Sequence, residues 1–300
     1  MSGESRLHET AVPLRPSVWE ERLASRLFLA LSPHLPRTVQ PAPPPTLAPF
    51  EQLAIPRSRG RGSLGATWYP AEGAAEGAVR GAVLLLPPWV QWGRSYFHHR
   101  GRLNALRRAG YHALTLDFPG FGSSGAPAGL FDRDVEDGLD FLRRRVGPLP
   151  VHVWGISSGG YWAHMVLSRT DGVAGAVFED VSPHLFEWSW RMQPWGRPGY
   201  LFFHCAYRRA YRYMDVRRHA AALSAAAVSY IGGDSDPGIR RDETEELARL
   251  AGGPCLIVAG ASHLMSIKLA QAEILEMALD TFQRAESVET TAAAPVTERR

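Results

Sequence analysis

Residues 151–167 read VHVWGISSGGYWAHMVL, and this stretch gives the strongest indication of the fold. Residues 151–154 form a short, mostly apolar run that predicts a buried strand, and residues 160–167 predict a helix. Between them, residues 155–159 match the pattern G-x-S-x-G. The two glycines allow a turn sharp enough to lift the Ser157 hydroxyl out at the end of the strand, below the positive amino terminus of the helix. The stretch therefore predicts a serine nucleophile, with a purely structural tight turn as the alternative.

On both sides of this stretch, short apolar runs alternate with helical patterns from residue 78 to residue 282. Ala82–Leu86 is continuously apolar, as expected for a parallel strand that is buried on both faces. Such regular alternation predicts an α/β protein with a mostly parallel sheet and helices on both faces. The other predicted strands are Tyr111–Leu116, Val151–Trp154, Val173–Phe178, Ala226–Ile231 and Leu256–Ala259.

Residues 183–219 interrupt the alternation with 10 aromatic residues interleaved with arginines. A segment this aromatic is not expected to be a solvated loop. We predict a helical lid over the carboxyl ends of the strands, where open α/β sheets bind ligands. Trp188 and Trp190 of this lid, together with Trp92, are candidates for lining an apolar substrate pocket, although packing in the core is the alternative for such tryptophans.

A serine nucleophile needs a general base, and the base needs a carboxylate that orients it. In this type of strand–turn–helix architecture the chain order is serine, acid, histidine, each at the end of a later strand. His263 directly follows the predicted strand Leu256–Ala259 and is the only histidine after His219. We therefore interpret His263 as the general base.

Two aspartates are candidates for the acid. Asp236 follows the predicted strand Ala226–Ile231 and precedes a proline that holds it extended, so we favour it, with Asp234 capping the turn. Asp180 follows the strand Val173–Phe178, whose end faces the same crevice. Asp180 therefore stays open as the alternative acid.

Residues from about 78 to 282 resemble the α/β-hydrolase superfamily, in particular its serine esterases and lipases. The resemblance implies Ser157 as nucleophile, Asp236 as acid and His263 as base, acting on a carboxylic ester with an apolar acyl or alcohol group. It implies no metal, nucleotide or organic cofactor. An acyltransferase or thioesterase would use the same triad, and a non-catalytic ligand-binding or scaffold protein of this fold is a further alternative. The segments that carry the resemblance are LLL (84–86), DFPGFGSSG (117–125), GISSG (155–159), GDSD (233–236) and GASH (260–263).

The chain departs from this family at one position that matters for catalysis. Family members commonly have His-Gly after the first of these strands, where a backbone N–H supplies half of the oxyanion hole. This chain has Pro87 and Pro88 there, and proline carries no N–H. We expect the N–H of Trp89 to act as this donor and the N–H of Ser158, directly after the nucleophile, as the other.

Composition excludes several classes of protein. The formal charge of the 300 residues is only +3 and the arginines are scattered, so a nucleic-acid-binding surface is not supported. The two cysteines are too few for a disulfide framework and lack the spacing of a zinc site. No apolar run reaches the roughly 18 residues that span a bilayer, and the first residues lack the apolar core of a signal peptide. We therefore expect a cytoplasmic protein whose partner is a small-molecule ester or thioester.

The two ends of the chain differ from the core, which we predict over residues 61–182 and 220–284. Residues 1–60 are predicted as a helix over 17–31 followed by a stiff, proline-rich extension. Apolar residues recur at every fourth position of that helix from Trp19 onward, and we expect this stripe to pack on the core. Contact with a membrane surface through residues 17–31 is the alternative and is not expected. The Ala-, Thr- and Glu-rich tail, residues 285–300, is predicted to be disordered.

Overall fold

The computed structural model describes residues 12–31, 43–89 and 92–293, in which strands and helices alternate along the chain. The strands are β1 Glu51–Pro56, β2 Ser63–Tyr69, β3 Gly81–Leu86, β4 Tyr111–Leu116, β5 Val151–Ile156, β6 Gly175–Glu179, β7 Ala227–Gly233 and β8 Cys255–Val258. The α-helices are α1 Val18–Leu31, α2 Arg102–Arg108, α3 Asp132–Val146, α4 Ser158–Leu167, α5 Leu185–Met192, α6 Arg197–Ala206, α7 Arg208–Tyr213, α8 Val216–Ala220, α9 Arg241–Ala251, α10 Ser266–Leu269 and α11 Gln271–Ala293.

The eight described strands form one sheet in the order β1-β2-β4-β3-β5-β6-β7-β8. β1 pairs antiparallel with β2, and β2 with β4, whereas every neighbouring pair from β4 to β8 is parallel. The order reverses between β3 and β5, because the chain adds β4 on one side of β3 and then continues on the other. Open α/β sheets bind ligands at such a reversal, outside the carboxyl ends of the strands. The predicted mostly parallel sheet is confirmed.

Helices cover both faces of the sheet and create two hydrophobic cores. Every residue of β3 is buried, and its side chains alternate, so that Leu84 enters one core and Leu85 the other. The first core contains residues of α3, α4 and α9, and the second contains residues of α2 and α11. Burial on both sides is the reason that this central strand has no polar position.

Between β6 and β7 the chain forms the four helices α5 to α8, a helical and aromatic-rich insertion. The Tyr161 hydroxyl of α4 donates a hydrogen bond to the carbonyl of Met214. His184, just before α5, forms an isolated β-bridge with Asp215. The first contact ties the insertion to the helix that follows Ser157, and the second joins the two ends of the insertion. Its aromatic side chains in the first core are Phe186, Tyr200, Phe203 and Tyr213.

The expectation that residues 1–60 lie outside the sheet domain is wrong for β1, which is the edge strand of the sheet. The strand β2, which joins β1 to β4, also escaped the sequence analysis. Ile55 is the one residue of β1 that is buried, and Pro56 ends the strand. An edge strand of this kind lacks the apolar run by which a central strand is recognised.

Helix α1 occupies the predicted position, but Trp19 and Leu23, the two stripe residues whose side chains are described, are exposed. Among the described side chains of α1, Glu21 is the buried one, and its carboxylate pairs with Arg59 and Arg133. Ion pairing thus holds this part of the helix against the domain. Of the proline-rich stretch, residues 41–42 lie outside the described residues, and Pro45–Leu47 forms a 3-10 turn instead of an extended segment.

The prediction of a disordered tail from residue 285 is wrong for its described part, because α11 continues to Ala293. Glu286 accepts hydrogen bonds from the guanidinium of Arg80 and the hydroxyl of Tyr111, which hold this turn of the helix against the domain. Residues 294–300 lie outside the described residues. Within the described ranges, no helix has both the length and the apolar character needed to cross a membrane.

Candidate active site

Ser157 stands alone between β5 and α4, in a conformation that few residues other than glycine adopt. Its φ is 49° and its ψ is −116°, which strains the backbone of a residue with a side chain. Its N–H donates to the carbonyl of Glu179 at 2.8 Å, so the end of β6 holds the turn. A Cβ at Gly159 would lie 2.1 Å from the carbonyl oxygen of Leu86, so this position admits only glycine. The G-x-S-x-G pattern is therefore a steric requirement of the turn.

Three side chains that are far apart in the sequence meet above this turn. The Ser157 Oγ lies 3.0 Å from Nε2 of His263, and Nδ1 of His263 lies 2.7 Å from Oδ2 of Asp236. Because the carboxylate accepts a hydrogen bond from Nδ1–H, the proton of the neutral imidazole stays on Nδ1 and Nε2 presents its lone pair to the serine hydroxyl. The geometry is that of a nucleophile, a general base and an orienting acid in hydrogen-bonded series.

Backbone amides fix the orientation of the Asp236 carboxylate. Its Oδ1 accepts hydrogen bonds from the N–H of Gly238 at 2.8 Å and of Ile239 at 3.1 Å, which leaves Oδ2 for His263. Asp234 is engaged elsewhere, since its Oδ1 accepts from the N–H of Gly260 at 2.7 Å. Asp234 thus links the loop after β7 to the loop after β8, and Asp236 contacts the imidazole.

Asp180, the alternative acid, holds the backbone next to the histidine. It has a left-handed φ of 52°, and its Oδ2 accepts from the N–H of Leu264 at 2.9 Å. Its Oδ1 accepts from the Ser266 hydroxyl at 3.2 Å. Leu264 also has a left-handed φ, 63°, and its carbonyl lies 3.4 Å from the Tyr96 hydroxyl. The peptide that follows His263 is therefore held on both sides.

A buried ion pair stabilises the strand end that carries Asp180 and contacts the serine turn. The sequence analysis did not predict this pair. The guanidinium of Arg102 donates to Glu179 at 2.5 Å, and both side chains are almost completely buried. The same guanidinium lies over the rings of Tyr96 and Trp154, 5.4 Å and 5.6 Å from their centroids. Glu179 precedes Asp180, and its carbonyl holds the amide of Ser157. One strand end thus positions both the serine turn and the histidine loop.

The site raises the pKa of the His263 imidazole above its ordinary value. Burial lowers this pKa, but the hydrogen bond to Asp236 and the negative charges of Asp236, Asp180 and Glu179 outweigh burial. A histidine elsewhere in the core shows the contrast, because burial lowers the pKa of His164 to about 3. The carboxylates around His263 therefore favour the imidazolium that forms when the base takes a proton.

The three tryptophans predicted to line a substrate pocket occupy three different places. The Trp188 ring centroid lies 6.2 Å from that of His263, and its indole rests against the backbone of Gly238. Trp190 is two residues further along α5, on a different side of the helix, where it lines a hollow together with Tyr200 and Leu201. Trp92 packs on His99, 5.2 Å between ring centroids, and is about half exposed.

One of the two predicted oxyanion donors, Ser158, directly follows the nucleophile, and the other, Trp89, belongs to the loop after β3. Ser158 is the first residue of α4, so its N–H belongs to the unpaired amino-terminal turn of that helix. The carbonyls of Leu86 and Pro87 approach Gly159, which brings the loop after β3 to the same turn. The Trp89 side chain packs edge-on against Phe131, with ring centroids 5.3 Å apart, and this contact anchors the loop.

No group of three or more His, Cys, Asp or Glu side chains that could hold a metal ion occurs among residues 12–31, 43–89 and 92–293. The described site contains a serine hydroxyl, an imidazole, carboxylates and backbone amides. Such a set performs acyl transfer by nucleophilic attack.

Comparison with known proteins agrees with this architecture. A family model described as alpha/beta hydrolase fold matches residues 81–202. An esterase from Pyrococcus furiosus superposes with a TM-score of 0.65 at 17% identity, covering 83% of this chain and 96% of that chain. A highly thermostable carboxyl esterase from Bacillus coagulans gives 0.62 at 15% identity, with coverage of 79% and 99%.

An acylaminoacyl peptidase from Pyrococcus horikoshii gives a TM-score of 0.60 at 13% identity, covering 78% of this chain and 42% of that chain. No curated protein sequence matches the chain. The structural relatives are too distant in sequence to show more than the fold. The resemblance to the α/β-hydrolase superfamily is confirmed.

Proposed function

Since this chain has the α/β-hydrolase fold, we propose that it is a serine hydrolase that cleaves a carboxylic ester through an acyl-enzyme. One observation carries the proposal: Ser157, His263 and Asp236 form a continuous hydrogen-bonded series at the carboxyl ends of three different strands. Each member comes from a separate loop, and each loop is held by buried hydrogen bonds. A geometry of this kind is the one that activates a serine hydroxyl.

In the first step, the Ser157 oxygen attacks the acyl carbon while His263 Nε2 takes the hydroxyl proton. Asp236 holds the imidazole in the tautomer that accepts this proton and stabilises the resulting imidazolium. The raised pKa of His263 favours that charged state. Collapse of the tetrahedral intermediate expels the alcohol, which receives the proton from His263.

The negative charge on the tetrahedral oxygen needs donors that are already in place. We assign this role to the N–H groups of Ser158 and Trp89. A single donor of this type is worth about 3 kcal/mol of transition-state stabilisation. Pro87 and Pro88 restrict the backbone before Trp89, which limits the reorganisation that this donor requires.

In the second step, water attacks the acyl-enzyme with His263 as base, and Ser157 leaves as the protonated hydroxyl. Trp188 lies beside His263 and presents an apolar ring to whichever group of the substrate occupies that side. This contact favours an ester with an apolar acyl or alcohol group.

Labelling with a fluorophosphonate tests the nucleophile directly. We expect the native chain to be labelled at Ser157 and Ser157→Ala to be unlabelled, with ester turnover reduced about 10⁴-fold or more. Ser287→Ala, on the surface of α11, is the matched control and should be labelled like the native chain. Absence of label on the folded native chain, or equal labelling of Ser157→Ala, would overturn the proposal.

Product analysis with the same chain distinguishes ester hydrolysis from the alternative activities. We expect turnover of p-nitrophenyl esters, with free acid as the product even when alcohols are added. Preference for acyl thioesters would indicate a thioesterase, formation of new esters from added alcohols an acyltransferase, and preference for an acyl anilide a peptidase-like enzyme. A folded chain that neither reacts with the probe nor turns over any of these substrates would be a non-catalytic ligand-binding or scaffold protein.

A further inference from the structure

The outer side of the insertion, together with α1, presents large apolar side chains to solvent. Their exposed fractions lie between 37% and 61%, although the described part of the chain buries most other residues of this size. A contiguous set of this kind on a soluble surface marks an interaction site. We call this surface the lid face, and its apolar members are Trp19, Leu23, Trp190, Met192, Trp195, Leu201 and Phe202.

Ring contacts join the two parts of the lid face. Tyr207 lies between them, with ring centroids 6.0 Å from Trp19 of α1 and 6.1 Å from Phe202 of α6. Leu201, next to Phe202, shares a hollow of about 410 Å³ with Trp190 of α5. The apolar side chains of α1, α5 and α6 therefore belong to one surface.

Positive charge predominates on the lid face. Residues 188–214 contain five arginines and no aspartate or glutamate. Of these, Arg208, Arg209 and Arg212 of α7 are exposed, and Arg22 of α1 is exposed beside Trp19. Arg197 lies over the Trp190 ring, 5.2 Å from its centroid, and extends the positive charge to α5. The nearby carboxylates have partners: Glu20 accepts from the Ser17 hydroxyl, Glu21 is buried in ion pairs, and Glu187 pairs with Arg217.

We propose that the lid face docks on the surface of an anionic lipid bilayer. Trp, Phe and Leu side chains partition into the boundary between headgroups and acyl chains, and arginines beside them attract anionic headgroups. The lid face offers both kinds of group on the helices α1, α5, α6 and α7, and its exposed arginines outnumber the carboxylates beside them. A second copy of the chain would be a different occupant, which the experiment below separates from a bilayer.

Docking in this way brings the active site close to the lipid. Helix α5 runs from Trp188, beside His263, to Trp190 and Met192 on the lid face. One short helix therefore contacts the active site through Trp188 and contributes Trp190 and Met192 to the docking surface. The docking proposal itself does not depend on the proposed function, since it concerns groups that take no part in the reaction.

Flotation with vesicles tests the docking independently of catalysis. The full chain carrying Ser157→Ala is mixed with vesicles of phosphatidylcholine alone or of equal parts phosphatidylcholine and phosphatidylserine. We expect association with the mixed vesicles only, with a blue shift of tryptophan fluorescence, and progressive release as salt rises. Failure of the catalytic proposal would leave this result unchanged.

Matched substitutions identify the surface responsible. We expect Leu201→Ser with Phe202→Ser to weaken association about tenfold or more, and Arg208→Gln with Arg209→Gln to weaken it several-fold. Leu269→Ser is the apolar control, because Leu269 and Leu201 have the same exposed fraction, 55%, and Leu269 lies on α10. Arg108→Gln, on the exposed side of α2, is the charge control.

Three results would overturn the proposal. The first is that the folded chain floats with neither kind of vesicle. The second is that it floats equally well after the lid-face substitutions. Alternatively, sedimentation would show a dimer without vesicles that Phe202→Ser dissociates, which would identify a second copy of the chain as the occupant. Unchanged melting temperatures of the variants would show that the effects are not due to unfolding.

Discussion

The carboxyl edge of the sheet buries charged side chains, whereas the lid face exposes apolar ones. At the carboxyl edge, Asp180, Asp236 and Glu179 are buried, and each has its partner: backbone amides, an imidazole or a guanidinium. On the lid face, Trp195 and Phe202 stand in solvent, and arginines beside them lack acidic neighbours in the sequence. The first region holds groups at fixed distances, as a reaction requires. The second offers a surface, as adsorption requires.

The largest effect that separates the two regions is expected for Asp236→Asn. An amide in this position disfavours the tautomer of His263 that accepts the serine proton, so kcat should fall about 10³- to 10⁴-fold. Because Asp236 raises the pKa of His263, its removal lowers that pKa, and the acid limb of the remaining activity should move to lower pH.

Steady-state kinetics across pH measures both changes, and vesicle flotation of Asp236→Asn should match that of Ser157→Ala. An acid limb that stays in place or moves to higher pH would contradict the assigned hydrogen bond. Loss of flotation would show that the two regions are not separable.

A comparison of two arginine–glutamate pairs tests how much the buried pair at the carboxyl edge contributes to the free energy of unfolding. Arg102→Met leaves the Glu179 carboxylate buried without its partner, so the free energy of unfolding should fall by about 3–5 kcal/mol. Arg80→Met breaks a pair on the surface, where the arginine side chain is 40% exposed, and should change it by less than about 1 kcal/mol. Denaturant titration of both variants gives the two values. Equal losses would show that burial of the Arg102 pair is not what stabilises this edge.

A smaller effect is expected for Asp180→Asn, because Asn tolerates the left-handed backbone and keeps one oxygen for the Leu264 amide. We expect kcat to fall about tenfold through misplacement of the imidazole. The lost negative charge should also move the acid limb to lower pH, by less than in Asp236→Asn. A pH–rate profile as strongly altered as that of Asp236→Asn would identify Asp180 as the acid instead.

The sequence predicts a site residue well when the pattern that identifies it lies within a few neighbouring residues. The serine turn is encoded within five residues, because only glycine fits beside the carbonyl of Leu86. His263 and Asp236 follow strands that are recognisable by their apolar runs. Arg102 gives no such signal: it is one of many arginines in the sequence, and only the packing of α2 against the sheet buries it beside Glu179.

Errors arose where burial could not be read from the apolar pattern. β1 is an edge strand with mostly exposed residues, so it resembles a loop in the sequence. The stripe on α1 predicts a buried helix face, yet tertiary contacts bury Glu21 and expose Trp19. Trp188 and Trp190 are tryptophans of the same aromatic segment, so the sequence does not separate them. Side chains two positions apart on a helix nevertheless point in different directions.

Local sterics and apolar periodicity were enough to predict the alternation of strands and helices, the serine turn and the proposed order of nucleophile, acid and base. The fold was needed to show which of two aspartates contacts the imidazole, which tryptophan lies beside it and which apolar residues remain in solvent. Those outcomes depend on the relative placement of loops and helices distant in sequence, and no local pattern encodes that placement.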